Sequence, residues 1–177
     1  AGGGCGFISA TLSNLPDVSN VRPSASSQIY DVHGNLITTV HSTENRLPVP
    51  LKDVPKDLQN AFVATEDSRF YSHHGIDPVG ILRAVWVNLV HSGVSEGGST
   101  ITQQLARNAF LSQDRTFKRK ISEALLALKI EQHYTKDEIL EMYMNQIYFG
   151  QGAYGVQSAA HVYFGKDASQ LTLAQAA

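Results

Sequence analysis

Cysteine is almost absent: Cys5 is the only one in 177 residues. No disulfide can form within the chain, so thiols say nothing about its redox compartment. Charge is sparse and nearly balanced, at 17% charged residues and a net −2, which argues against general affinity for nucleic acid. The seven histidines include no His-Glu-x-x-His pair and the chain has no Cys-x-x-Cys, so no zinc site is indicated. Long apolar runs are missing as well. The longest, Ile76 to Val90, is interrupted by Asp77, Arg83 and Asn88 and is too short to span a bilayer. There is no internal repeat and no Ser-x-x-Lys acylation motif.

What is present suffices for a globular domain, since 42% of residues are hydrophobic. The charge that exists is unevenly placed. Arg107, Arg115, Lys118, Arg119, Lys120 and Lys129 face only Asp114 and Glu123 over that stretch, a basic patch suited to a bound anion. Residues 1–27 read as a linker, rich in Ser, Asn and Pro after residue 8. Residues 28–46 read as a β-hairpin turning at His33-Gly34-Asn35. Residues 47–177 read as helical and as stopping mid-pattern, so the chain is expected to be a piece of something longer.

Six helices are expected. Asp53 caps the first near Pro55, and Asp77-Pro78 starts the second, which runs to Gly93. Ser99 caps the third, through Phe110. Thr116 opens the fourth, with Ile121, Leu125 and Leu128 on one face. Thr135 and Glu138 form a capping box for the fifth, ending at Gly150. The sixth runs from about Gly155 to Phe164, with Gly165 as its stop.

Two carboxylates stand out. Glu66 follows Leu58 and Phe62 on one helical stripe, where a charge is costly unless it lines a cleft or finds a partner such as Arg69. Glu123 follows Arg119 and Lys120 at i+4 and i+3 spacing, and the plain reading is a solvated ion pair. Gly97 to Gln104 joins a Gly-rich loop to a helix N-terminus, where amides and hydroxyls can receive an anion. Two literal motifs fail on context. Gly93-Val94-Ser95-Glu96-Gly97 matches Gly-x-Ser-x-Gly but lacks a preceding strand. Gly150 to Gly155 matches Gly-x-Gly-x-x-Gly but follows a helix and has no acidic residue about twenty positions on.

Read together, five segments resemble the family-51 glycosyltransferases, the polymerising domains of class A penicillin-binding proteins. They are Glu66-Asp67-Ser68-Arg69-Phe70-Tyr71-Ser72-His73-His74-Gly75; Gly97 to Gln104; Arg119-Lys120-Ile121-Ser122-Glu123; Glu138 to Asn145, with Met144 where leucine is usual; and Gly152 through Ala159-Ala160 to Tyr163-Phe164. The resemblance covers about residues 47–177.

It implies a mainly α, lysozyme-like, two-lobed domain preceded by the small hairpin and truncated at its C-terminus. It implies polymerisation of lipid II into β-1,4-linked glycan, with inversion at the donor and release of a polyprenyl pyrophosphate. Glu66 is then the catalytic base, and Glu123 a second catalytic carboxylate that orients substrate and cations. Substrate binding falls to Asp67, Phe70, His73, Gly98, Ser99, Thr100, Thr102, Gln103, Gln104, Arg107, Arg115, Arg119, Lys120 and Asn145. No metal ligand is assigned; a divalent cation, Mg or Mn, is compatible with the pyrophosphate, and the basic cluster could partly replace it. The resemblance makes residues 1–27 a membrane-proximal linker at the end of an N-terminal anchor. The partners implied are lipid II, the lipid-linked glycan, the extracytoplasmic face of the bacterial inner membrane and a transpeptidase beyond Ala177. The rivals are a lytic transglycosylase of similar fold and a non-catalytic membrane-peripheral scaffold.

Overall fold

The computed structural model describes residues 15–19, 21, 27–34, 36–40, 45–90, 97–111 and 116–176. Arg115 and most of the rejected Gly-x-Ser-x-Gly match lie outside them. The fold is mainly α, as the sequence predicts. In chain order the helices are α1 (Lys56–Glu66), α2 (Pro78–Val90), α3 (Ile101–Phe110), α4 (Phe117–His133), α5 (Lys136–Met144), α6 (Val156–Phe164) and the short α7 (Leu173–Ala176). The chain divides into two compact units, one of residues 1–21 and 63–139, the other of residues 22–62 and 140–177. The division falls inside α1 and α5.

In the first unit α3 and α4 pack side by side. Ile101, Leu105, Leu126, Ala127, Ile130 and Phe70 are its buried apolar centre, each large side chain contributing about 1.5–3 kcal/mol by leaving water. The buried face of α4 is Glu123, Leu126, Ala127 and Ile130. The expected stripe of Ile121, Leu125 and Leu128 is out of phase, and Leu128 is exposed. The true stripe has perfect i, i+3, i+4, i+7 spacing, but its first member is a glutamate.

Ahead of α3, Gly75 adopts φ +79°, and a Cβ there would meet the Ala127 carbonyl carbon and oxygen at 2.9 Å. Only glycine lets the chain pass this close to α4. The described part of the N-terminal stretch is held against the same unit. Val18 is buried, its carbonyl accepts from the Tyr134 hydroxyl at 2.9 Å, and the Pro16 carbonyl accepts from Lys129 Nζ at 3.1 Å.

The second unit carries the hairpin, β1 (Ser27–Tyr30) antiparallel to β2 (Leu36–Val40) with Ser27 opposite Val40. Gly34 turns it at φ +84°. A two-residue parallel pair follows, β3 (Asn45–Arg46) beside β4 (Ala153–Tyr154). That pair is too short to show in a residue pattern. Asp53 lies in a 3-10 turn, Leu51–Asp53, rather than capping α1. Gln59 fastens the entry instead, donating to the Leu51 and Val54 carbonyls at 2.9 Å each.

Helix α5 opens on Thr135 and Glu138 as expected, with Thr135 N–H and hydroxyl each 2.8 Å from the Glu138 carboxylate. It stops at Met144, short of the expected Gly150, because the next residues turn back. The Asn145 amide accepts from Val49 N–H at 2.9 Å and donates to the Val49 and Glu141 carbonyls at 2.8 and 3.0 Å. Helix α6 ends as expected at Gly165, which is left-handed at φ 65°.

Candidate active site

The site lies within the first unit and begins at the last residue of α1. Leu58 on that helix is buried, Phe62 is half-buried and Glu66 is exposed. The apolar stripe therefore climbs out of the core and delivers Glu66 into a cavity of about 120 Å³, lined also by Asp67, Asp77, Arg83, Gly98 and Ser99. That volume holds about four waters, or the hydroxyl-bearing edge of a sugar. Glu66 is thus not the core-facing carboxylate that the spacing suggested. Nor is it paired with Arg69, whose guanidinium binds both oxygens of Asp77. Glu66 Oε2 accepts from Gln104 Nε2 at 2.8 Å.

Asp67, the next residue, is buried and works structurally. It accepts from Ile101 N–H at 3.1 Å and lies 2.9 and 3.0 Å from His73 Nε2. A carboxylate on the first amide of α3 compensates an unpaired N–H and meets the positive end of the helix dipole. The peptide after Glu66 is thereby fixed to the helix that carries Gln104. Gly98 completes the close fit: a Cβ there would lie 3.3 Å from Ile81 Cα.

The cap of α3 is Thr100, one residue later than expected. Thr100 and Gln103 form a reciprocal capping box, and the Thr100 hydroxyl also donates to the Gly75 carbonyl at 2.6 Å. This frees Ser99, whose hydroxyl accepts from Lys120 Nζ at 2.6 Å. Lys120 Nζ also lies 2.9 Å from Glu123 Oε2, and Arg119 Nε is 3.1 Å from Glu123 Oε1. The Arg119 N–H is not aimed at that oxygen, so the contact is one of charge rather than an aligned hydrogen bond. Glu123 is 0% exposed. The solvated pair expected from spacing is instead a buried carboxylate with two cations over it, one of which reaches back to the α3 loop.

The remaining residues divide. Arg107 is half-buried on the last turn of α3. Phe70 is fully buried, with Lys136 Nζ 4.5 Å from its ring centre. Thr102 is fully buried and donates to Glu131 at 2.6 Å. Asn145 belongs to the second unit, its amide engaged with Val49 and Glu141. None of these last three lines the cavity. Sequence reasoning missed Arg83, which does line it. Its position on α2, one turn beyond Gly80 against the Gly98 loop, was the available signal.

Among the described residues one group of metal-ligand type occurs: Asp67, His73 and Asp77. It does not suit a divalent cation. Asp67 is engaged by His73 and Ile101. Asp77 is engaged by Arg69 and the Gly80 amide. His73 Nδ1 is the one buried ligand atom there without a partner, and a lone nitrogen does not hold an oxygen-seeking ion. Burial pushes the Asp77 carboxyl up. The hydrogen bonds from Arg69 and Gly80, with the charges of Arg69 and His73, outweigh that and hold it below the usual carboxylate range.

Comparison with known proteins adds the family. A family model described as Transglycosylase matches residues 33–177. Penicillin-binding protein 1A of Escherichia coli (strain K12) is 54% identical over 167 residues, 94% of this chain and 20% of that protein. Penicillin-binding protein 1F of Bacillus subtilis (strain 168) is 50% identical over 153 residues, 86% of this chain and 21% of that protein. Penicillin-binding protein 1A of Aquifex aeolicus (strain VF5) is 49% identical over 174 residues, 97% of this chain and 24% of that protein. The chain thus spans about a fifth to a quarter of the length of the curated relatives it matches.

Proposed function

The chain belongs to the transglycosylase family, and from that premise we propose that it is a peptidoglycan glycosyltransferase with Glu66 as its general base. The observation that carries the proposal is the exposed Glu66 carboxylate in a polar cavity. One of its oxygens is held by Gln104, and no cation in the described hydrogen bonds and ion pairs neutralises it.

In this reading Glu66 takes the proton of the acceptor's 4-hydroxyl. That oxygen forms a bond to the donor anomeric carbon as the bond to pyrophosphate oxygen breaks. The electron pair leaves with the lipid pyrophosphate, and one displacement inverts the centre. A positioned base contributes on the order of 10²–10⁴-fold. Gln104 aims the carboxylate, and Asp67 keeps Gln104's helix in register with it.

Arg107, Arg119 and Lys120, with Arg115 from the sequence, hold the departing charge. Arginine's planar fork suits phosphate oxygens. Glu123 holds Arg119 and Lys120 in place, and Lys120 carries that order to Ser99. Arg83 adds a cation on the cavity wall. No step is routed through a divalent ion.

The substrates are lipid II and the lipid-linked glycan, at the extracytoplasmic face of the bacterial inner membrane, with a transpeptidase further along the full protein. Among the described residues no helix is long and apolar enough to cross a membrane. The membrane contact we assign is α2. Its Gly80 and Ala84 are buried, while Leu82, Val85, Trp86 and Leu89 are exposed, Trp86 at 69% and Leu89 at 76%. Such an apolar surface, aliphatic apart from Trp86, suits lipid tails.

Incubation of the protein with lipid II and, separately, with preformed glycan tests the function. Polymer from lipid II is expected. Cleavage of glycan without polymer would mean a lytic enzyme, and neither product would leave the scaffold.

A further inference from the structure

Glu131, in the last turn of α4, is a buried carboxylate to which the chemistry above gives no task. Its side chain is only 5% exposed. One oxygen, Oε1, accepts from the Thr102 hydroxyl at 2.6 Å and from Lys136 Nζ at 2.7 Å. A charge withdrawn this far from water is costly unless it is paired and hydrogen-bonded, and a single atom here meets both needs. Bonds to an ionised acceptor are short and roughly twice as strong as neutral ones.

The two partners lead to different places in the first unit. Thr102 is fully buried in the first turn of α3. Lys136 opens α5, and its ammonium lies 4.5 Å from the centre of the Phe70 ring. Phe70 belongs to the segment that follows Glu66, and its ring packs edge-to-face on His73, the partner of Asp67. Glu131 therefore ties α3 to the segment after the candidate base by a route separate from Asp67.

The two carboxylates restrain different motions. Asp67 takes the first amide of α3 and fixes the end of the helix. Glu131 takes a side chain from the helix wall and fixes its roll. Thr102 and Gln104 stand on nearly opposite sides of α3, because two residues turn a helix by about 200°. A roll that lifts Thr102 off Glu131 swings Gln104 through the same angle at Glu66, where its amide lies 2.8 Å from Oε2. Hydrogen bonds weaken steeply with misalignment. A misplacement of about 1 Å at a reacting group costs on the order of 10²-fold in rate.

We propose that Glu131 is a positioning residue for polymerisation: through Thr102 it sets the roll of α3, and so the hydrogen bond by which Gln104 aims Glu66. The proposal rests on the reading of Glu66 as the base. Glu131 does not line the cavity and acts only through the helix that carries Gln104.

The test uses the full-length protein with lipid II, read as kcat and KM, with the melting temperature as a check on folding. Thr102→Val keeps the shape and removes the hydroxyl. It should lower kcat about tenfold with KM within about twofold of the parent, the scale of coupling inside one hydrogen-bond network. Thr102→Ser, which keeps the hydroxyl, should restore kcat to within about threefold of the parent. Glu131→Gln keeps an oxygen for Thr102 but removes its charge, and should show the same split at about threefold. It carries the comparison if Thr102→Val does not fold. The decisive measurement is made in Gln104→Ala. Adding Thr102→Val there should cost less than about twofold more, since both act on one bond. Losses that multiply in the double variant, or parental kcat in folded Thr102→Val, overturn the proposal. Glu66→Gln assayed alongside separates the two readings. If it polymerises at the parental rate while the Thr102 and Gln104 losses do not multiply, the base reading falls and the hold of Glu131 on Gln104 stands. If it is dead and the losses multiply, the base reading stands and the positioning role falls.

Discussion

Glu66 and Glu123 lie in the same compact unit and on comparable helical stripes, yet the fold treats them in opposite ways. Glu66 ends its helix at a cavity, exposed, with a neutral amide on one oxygen. Glu123 is in the second turn of its helix, fully buried, with Arg119 and Lys120 upon it. A carboxylate that must take a proton needs an open oxygen and an approach path. A carboxylate that organises cations needs to be immobile and always paired. Two like groups in unlike surroundings take unlike roles, and the difference lies in where each helix ends and what it packs on.

The comparison can be broken by removing each charge without changing shape, and the largest effect belongs to Glu66. Glu66→Gln should lower polymerisation by about 10²–10⁴-fold, the range of a lost general base, with the melting temperature unchanged because the residue is exposed. Arg119→Ala comes next. It should lose about 2–4 kcal/mol of transition-state stabilisation, read as kcat/KM, as when one preorganised electrostatic donor is removed. Glu123→Gln should leave measurable turnover but destabilise the fold by about 1–3 kcal/mol, the scale of a lost charged hydrogen bond, seen in denaturant unfolding.

A smaller effect sharpens the picture of the α3 entrance. Thr100→Ala should cost about 1–2 kcal/mol, since Thr100 is the cap. Ser99→Ala should change stability by less than about 0.5 kcal/mol while weakening turnover through Lys120. Equal destabilisation by the two would mean that the cap is shared. The smallest effect concerns pH. Asp77 has its carboxyl held below the usual range in the folded state, so the unfolded chain binds the proton more readily. Its contribution is present above the unfolded value near 3.9 and is lost as pH falls through the lower folded value. Thermal unfolding between pH 6 and pH 2 should therefore be less steep in Asp77→Asn than in the parent.

Much of this was legible in the residues. The capping box of Thr135 and Glu138, the Asp77-Pro78 start, the Gly34 turn and the Gly165 stop are local signals, and each sits where its chemistry requires. The site was legible as motifs but not as geometry. The i+3 and i+4 spacing of Glu123 suggests a solvated pair because charge marks a residue as polar, whereas its burial depends on cations that the same helix brings over it. Admitting Glu123 to the stripe with Leu126, Ala127 and Ile130 would have given the correct face of α4. Ser99 and Thr100 are both competent caps, and the choice between them is made by the distant Gly75 carbonyl. Phe70, Thr102 and Asn145 belong to motifs as surely as Glu66 does, yet Phe70 is fully buried, Thr102 donates to Glu131, and the Asn145 amide holds the Val49 and Glu141 backbone. Arg83 shows the converse, a cavity residue outside the motif segments.

The central claim is that Glu66 takes the proton and Glu123 does not. Its most direct test measures lipid II binding and lipid II polymerisation side by side in Glu66→Gln and Glu123→Gln, with folding checked by circular dichroism. The account predicts that Glu66→Gln binds lipid II within a few-fold of the parent and makes no detectable polymer, while Glu123→Gln polymerises slowly. Near-parental polymerisation by Glu66→Gln together with a dead, folded Glu123→Gln would contradict it and exchange the two roles.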